Sequence, residues 1–139
     1  MTAPIDTETA YHELYAYTMG RPKFILQHVV DAYGAQGANA SSKPIGIVFC
    51  LVGLFLHIEK GFTGTQVQQA HIRLGREKRQ WPVIPLPALR GSLTPVDVME
   101  VPAGPDRDAA IDKWCESVWA EYHASRNIII ALLEAEKII

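Results

Sequence analysis

Apolar side chains recur every three or four residues through most of the chain, a spacing that predicts α-helices. The first such pattern follows the polar cluster Asp6–Glu8 and ends near Gly20, and the second runs from Arg21 and Pro22 to Gly37. We expect Gly20 to end its helix in the left-handed conformation, and Pro22 to lie in the first turn of the next helix. No stretch alternates apolar and polar residues as a half-buried strand does.

The middle of the chain predicts a central helix. Pro44–Leu56 is an apolar run of 13 residues. The predicted helix continues beyond this run to Gly61, a glycine suited to a helix end. A helix that is apolar on every side belongs inside a bundle. The run is too short to cross a bilayer, which needs about 20 residues. Thr63 and Gln66 then form a capping box that begins a fourth helix.

Prolines interrupt the helical pattern after the fourth helix. The segment Trp81–Pro87 contains three of them, which remove backbone donors and hold the chain extended. We expect this segment to form a strap over the surface of the bundle, with Trp81 exposed. The strap precedes the last helices.

Two more helix starts follow the strap. Thr94 and Pro95 begin a short helical turn, and Gly104 begins a long last helix whose apolar stripe is interrupted at Ser125 and Arg126. The chain is therefore predicted to be an all-α single domain over residues 1–139. Its architecture is a compact bundle of about five helices around the apolar central helix.

Composition and charge narrow the function. With 48% hydrophobic and 20% charged residues and a net charge of −2, the chain is an ordinary folded protein, and a dedicated nucleic-acid binder is disfavoured. Residues 21–96 carry nine basic and three acidic side chains, whereas residues 97–139 carry nine acidic and four basic ones. We interpret this as acidic outer helices lying against a basic middle, within one bundle or between copies in a homo-oligomer.

The cysteines and the N-terminus indicate the compartment. Cys50 and Cys115 do not form a Cys-x-x-Cys pair, which excludes a disulfide framework and a four-cysteine zinc site. Each lies in an apolar helical stripe, so we expect buried, reduced thiols. Residues 1–10 lack the basic and apolar regions of a signal peptide, and we therefore expect a cytoplasmic protein without a membrane segment.

Four stretches resemble a family of bacterial proteins of unknown function. They are Asp31–Gln36, His57–Gly61, Gly91–Val98 and Trp114–Trp119. The resemblance covers most of the folded part and implies a shared fold, but the family has no established activity, so it implies no reaction. Members often carry a Cys-x-x-Cys near the N-terminus, where this chain has no cysteine.

Two histidines are candidates for a site. His28 and Asp31 are three residues apart on one face of the second helix, the spacing of helical carboxylate–histidine metal sites. This face lies opposite the apolar stripe, so it also fits an exposed or interface-facing polar side. The stripe consists of Leu26, Val29, Val30 and Tyr33. The third helix packs near the second in a short-loop bundle, and a cluster of His28, Asp31 and His57 requires the two helices to be offset.

The third helix carries a seam of small residues that ends at a histidine. Gly46, Cys50, Gly53 and His57 follow one another at intervals of four, three and four, which lets another helix approach closely or leaves a pocket. We expect His57 to be buried and to donate to a carbonyl or carboxylate. Glu59 lies about 200° around the helix and does not share its surroundings.

No motif of nucleophilic catalysis or phosphate binding occurs. The favoured function is therefore a small cytoplasmic binding or interaction protein, homo-oligomeric, with a small ligand or a protein as its partner. One alternative is a metal-dependent enzyme in which His28, Asp31 and His57 hold a divalent metal that activates water. Another is DNA binding through the basic end of the fourth helix, at Arg73, Arg76, Lys78 and Arg79.

Overall fold

The computed structural model describes residues 6–139. Seven α-helices follow one another, namely α1 Thr7–Thr18, α2 Leu26–Gln36, α3 Pro44–Lys60, α4 Gly64–Gly75, α5 Pro95–Met99, α6 Pro105–Glu121 and α7 Arg126–Ala135. No strand occurs among these residues, which confirms the predicted all-α class. None of the described helices is both long and apolar enough to span a membrane. The part of the signal-peptide prediction that concerns Met1–Ile5 lies outside the described residues.

Helix α3 is the centre of the bundle, as its sequence predicts. It packs against α2, α4, α6 and α7. Its middle is buried continuously from Leu51 to Leu56. Because neighbours surround it, the helix needs no polar face, and this explains its uniformly apolar sequence.

Helix boundaries with local capping signals lie where the sequence predicts them. The Thr63 side chain accepts from the backbone N–H of Gln66, while Gln66 accepts from that of Thr63. Thr94 and Asp97 form the same kind of box at the start of α5. Gly61 ends α3 with a φ of 71°, a left-handed conformation that glycine adopts without steric cost.

The junction between α1 and α2 differs from the prediction. Gly20 is not left-handed, and α1 ends at Met19 in the right-handed region. Pro22 begins only a 3₁₀ turn, because Lys23 and Phe24 take φ values of 63° and 54° and break the helical path. Helix α2 therefore begins at Leu26, one turn later than the proline indicates.

The long last helix is divided in two. Helix α6 ends before Tyr122, whose φ of −96° and ψ of 15° leave the helical region, and a 3₁₀ turn leads into α7. The break separates α7 from α6 at the interruption that the sequence predicts at Ser125 and Arg126. It also raises the number of helices above the five predicted. Helix α7 packs on α3 and contributes the buried Ile129 and Leu133 to the core.

The proline-rich strap has no regular secondary structure, as predicted. Ile84 anchors it, being only 3% exposed, whereas Val83 beside it is 78% exposed. Trp81 is half-buried rather than freely exposed, because its ring packs edge-on against Phe49 at a centroid distance of 5.3 Å. The guanidinium of Arg79 covers its other side, 5.3 Å from the ring centroid.

Candidate functional site

Helices α2 and α3 pack closely along the predicted seam. A Cβ atom at Gly53 would overlap the Asp31 carboxyl group, and one at Gly34 would lie 2.6 Å from the Cys50 sulfur. Small residues thus let the two helices approach. Asp31 faces Gly53 and Gly34 faces Cys50, so residue numbers rise along α2 while they fall along α3. The two helices therefore run antiparallel.

The face of α2 that carries His28 and Asp31 is buried. His28 is 4% exposed and Asp31 is 2% exposed, which corrects the expectation of an exposed or interface-facing polar side. Val30, counted in the apolar stripe by the sequence pattern, is 36% exposed instead. The buried face of α2 also carries the small residues Ala32 and Ala35, which allow close packing, and His28 lies in its first turn beside the end of α3.

The rings of His28 and His57 stack on each other. Their centroids are 3.5 Å apart and their planes differ by 13°. His57 Nε2 lies 2.8 Å from Asp112 Oδ1, and His57 Nδ1 lies 3.3 Å from the carbonyl oxygen of Phe62. His57 therefore has both a carboxylate and a carbonyl neighbour, the partners that the sequence predicts for it.

The stacked histidines differ in their hydrogen bonding. Both ring nitrogens of His57 lie within hydrogen-bond distance of an oxygen, on Asp112 and on Phe62. For His28, burial and then repulsion from His57 lower the pKa to about 3. His28 is consequently neutral at physiological pH, and its buried Nδ1 has no hydrogen-bond partner among the described residues.

Asp31 is a buried acid with one unsatisfied oxygen. Gln27 Nε2 donates to Oδ1 over 3.1 Å, while Oδ2 packs on Gly53 without a hydrogen bond. Burial raises the pKa of this carboxyl group well above its ordinary value. The surroundings of Asp31 therefore favour its neutral, protonated form, because burying the charge without a partner is costly.

A cavity of about 270 Å³ opens beside the histidine stack. It lies between the kink before α2, the end of α3 and the first half of α6. Its walls are formed by Lys23, Ile25, His28, His57, Gly61, Phe62, Thr63, Asp108 and Asp112. This cavity, which we call the histidine cavity, is polar on one side and contains the two stacked rings.

The acidic side chain at one edge of the cavity is neutralised. Arg21 Nε lies 3.1 Å from Asp108 Oδ2, and the Tyr17 hydroxyl lies 2.7 Å from Oδ1. Burial would raise the pKa of Asp108, but the hydrogen bonds from Arg21 and Tyr17 outweigh it and lower the pKa. Asp108 therefore links α6 to Tyr17 and Arg21, and its charge is already paired with Arg21.

The predicted metal ligands are adjacent but do not converge. Among residues 6–139 no group of three His, Cys, Asp or Glu side chains has a geometry that could hold a metal ion. The ring planes of His28 and His57 are nearly parallel, so their nitrogens do not point at a common position. Asp112 and Phe62 already occupy both nitrogens of His57. The metal-dependent enzyme stays a hypothesis without a ligand geometry to favour it.

Two other polar residues have structural partners. His71 Nε2 lies 2.8 Å from the Phe49 carbonyl, so this histidine of α4 is satisfied within the fold. Glu59 accepts from Arg126 and from the Trp119 indole, and these hydrogen bonds lower its pKa. Glu59 is thus separate from His57, as predicted.

The basic end of α4 is partly engaged within the chain. Arg79 Nη1 lies 2.7 Å from Glu136 Oε1, and the guanidinium packs on Trp81. Arg79 is therefore unavailable to a phosphate backbone in this arrangement. DNA binding through Arg73, Arg76 and Lys78 stays a prediction. Three exposed cations here also fit a solvated helix end, where positive charges interact favourably with the helix dipole.

Lys23 and Asp112 are site residues that sequence reasoning missed. Asp112 follows Asp108 by four residues, so the two carboxylates share one face of α6, a signal present in the sequence. The conformation that brings Lys23 to the cavity depends on contacts with α4, and no local pattern indicates it.

The fold and this site define an all-α protein with a polar cavity at the end of its central helix. The chain belongs to a family of unknown function (DUF5946), which matches residues 8–123. This match confirms the resemblance and includes every residue that lines the histidine cavity. No curated protein and no solved structure gives a significant match to the chain.

Proposed function

We propose that this protein binds a small polar molecule in the histidine cavity. The observation that carries the proposal is His28, a neutral, almost fully buried side chain that lines the cavity and has an unpartnered ring nitrogen. A buried polar atom without a hydrogen bond costs about 1–3 kcal/mol of stability. A ligand that bonds to this ring would recover that energy.

The size and depth of the cavity support a small molecule. Its volume of about 270 Å³ is just below the range of about 300–1,000 Å³ typical of ligand pockets. Both histidines of the stack line the cavity, as do the charged residues Lys23 and Asp112. A few converging polar groups in a partly apolar wall are typical of ligand sites.

A larger cavity of about 470 Å³ lies between α5 and α6 and is a competing position. Leu93, Val98 and Val101 form much of its wall, while Asp97 is engaged in the capping box of α5. No unsatisfied buried side chain is among the residues that line it. The histidine cavity is therefore the better-supported ligand site.

Ligand-observed NMR with a library of small polar fragments tests the proposal. We expect hits on the wild-type chain that are lost in His28→Phe, which keeps an aromatic ring on His57 but removes the nitrogens. His71→Phe is the matched control, because His71 is already satisfied by Phe49, and it should retain the hits. Hits that persist in His28→Phe, or an absence of hits, would contradict the proposal.

We also propose a cytoplasmic location and self-association. Both cysteines are free thiols, which supports a reducing compartment. The basic charge of residues 21–96 and the acidic charge of residues 97–139 support electrostatic contact with another copy. Sedimentation velocity across micromolar concentrations tests the second point, since a constant monomer would exclude self-association.

A further inference from the structure

Lys23 reaches the histidine cavity through an unusual backbone conformation. Lys23 and Phe24 are consecutive residues with positive φ, a region that side chains with a Cβ rarely adopt. The only other such residue with a side chain in residues 6–139 is Lys137 near the C-terminus. Backbone strain of this kind persists only where surrounding contacts hold it.

The contact that holds the kink is with α4. A Cβ atom at Gly64, the first residue of α4, would overlap the carbonyl group of Phe24. The kinked backbone therefore rests directly on a glycine, and this fixes the direction in which Lys23 leaves the chain. Lys23, an exposed residue, is thereby one of the residues that line the cavity.

Two charged side chains at the cavity, Lys23 and Asp112, have groups that are free to bind a ligand. Among the described residues, no ion pair involves Lys23. Asp112 contacts His57 through Oδ1 only, and its side chain is 55% exposed. Asp108, in contrast, is paired with Arg21. The cavity thus presents one cation and one carboxylate that do not bind each other.

We propose that Lys23 and Asp112 bind opposite ends of a small zwitterion, an aminocarboxylate, and that the kink is the element that positions Lys23. This inference rests on the proposed function. The ligand carboxylate pairs with the Lys23 ammonium, and the ligand ammonium donates to Asp112. His28, a neutral side chain that lines the same cavity, adds a hydrogen-bonding group without adding charge.

The test is a series of ω-amino acids from glycine to 5-aminopentanoate, with butanoate and butylammonium as probes of each end alone. Binding is followed by the ¹H–¹³C ring signals of His28. We expect one member of the series to bind at least tenfold more tightly than either single-ended probe. An optimum in chain length is also expected, because the ligand must span from the kink that carries Lys23 to the α6 residue Asp112.

Substitutions of Lys23 test whether its charge binds the ligand carboxylate. Lys23→Met should reduce the affinity for the best amino acid to that for butylammonium, while Lys23→Arg should retain it. Lys43→Met removes an exposed lysine elsewhere and should change nothing. Lys23→Gly should lose binding like Lys23→Met and yet melt at a higher temperature, since glycine adopts a φ of 63° without strain.

Two results overturn the inference alone. One is equal affinity for the amino acid and both single-ended probes, and the other is binding of the amino acid that survives Lys23→Met. In both cases the His28 signals still report an occupied cavity, so the proposed function stands. If no fragment of any kind perturbs His28, the proposed function and the inference fail together.

Discussion

Gln36 and Arg90 bind each other's backbone. The Gln36 side chain donates to the carbonyl of Arg90 over 3.1 Å, and the Arg90 guanidinium donates to the carbonyl of Gln36 over 3.3 Å. Gln36 also donates to the Leu93 carbonyl and accepts from the Trp114 indole. Three of the four stretches that carry the family resemblance therefore meet at the Gln36 side chain. It joins the segment that follows the strap to α2 and α6.

Arg90→Met should destabilise the fold by about 2–3 kcal/mol, because the carbonyls of Gln36, Ala38 and Pro87 would lose hydrogen bonds from a charged donor. Arg90 is only half-buried, so water replaces part of these bonds and the loss is smaller than the sum of three. Urea denaturation measures the change. Lys78→Met, at an exposed position, is the control and should stay within about 0.5 kcal/mol of wild type. Equal stabilities of the two variants would show that the Arg90 contacts contribute nothing.

His28→Phe should stabilise the protein by about 1 kcal/mol at pH 7, since it removes an unsatisfied buried nitrogen and keeps the ring stack. The gain should grow on acidification. The folded pKa of His28 is about 3 against an ordinary 6.5, so between these values the unfolded chain takes up a proton that the folded chain does not. Wild type therefore loses stability as the pH falls through this window.

His71→Phe is the matched control for that measurement. His71 loses a satisfied hydrogen bond to Phe49, so this variant should be destabilised by about 1 kcal/mol. Thermal melts of both variants from pH 4 to 8 give the comparison. A stability difference between His28→Phe and wild type that does not vary with pH would contradict the neutral, buried state of His28.

Asp31→Asn should leave stability nearly unchanged below pH 4 and increase it progressively towards neutral pH. Burial raises the folded pKa of Asp31, so above the ordinary value of 3.8 the unfolded chain releases a proton that the folded chain retains. Wild type thus loses stability as the pH rises, and an uncharged asparagine does not. Chemical denaturation at pH 3.5, 5 and 7 measures this, and an asparagine variant equally stable to wild type at every pH would disprove it.

Gly53→Ala should destabilise the bundle by about 1–3 kcal/mol, because the added methyl group would overlap Asp31 and force α2 and α3 apart. Gly46→Ala is a control on the same seam. Nothing lies within 4 Å of a Cβ atom there, so alanine should stabilise the helix by about 0.4–1 kcal/mol. Differential scanning calorimetry distinguishes the two signs, and a loss at both positions would mean that the seam is uniformly tight.

The sequence predicted those elements whose signals are local. Thr63 with Gln66, and Thr94 with Asp97, satisfy their own helix termini, so they act wherever the rest of the chain lies. The apolar run of α3 likewise requires burial on all sides. These features predict the all-α bundle and its central helix without knowledge of any neighbour.

The kink before α2 and the burial of His28 could not be predicted from local pattern. Pro22 is compatible with a helix start, and only the contact of Phe24 with Gly64 decides that the helix begins later. The face of α2 that packs on α3 is the one with Ala32 and Ala35, and it includes His28 and Asp31. The hydrophobic pattern then ranks Val30 as core and His28 as surface, which is the reverse of their positions.

The part of the site contributed by α6 comes from far along the chain. Asp112 is 55 residues from His57, and Asp108 is 91 residues from Tyr17. Closing such loops is entropically costly and delays these contacts relative to local ones, so α6 is expected to dock late in folding. The cavity does not exist before that step. A molecule held between His28 and Asp112 would bind only the docked form, and it would slow amide hydrogen exchange in α6 more than in α4.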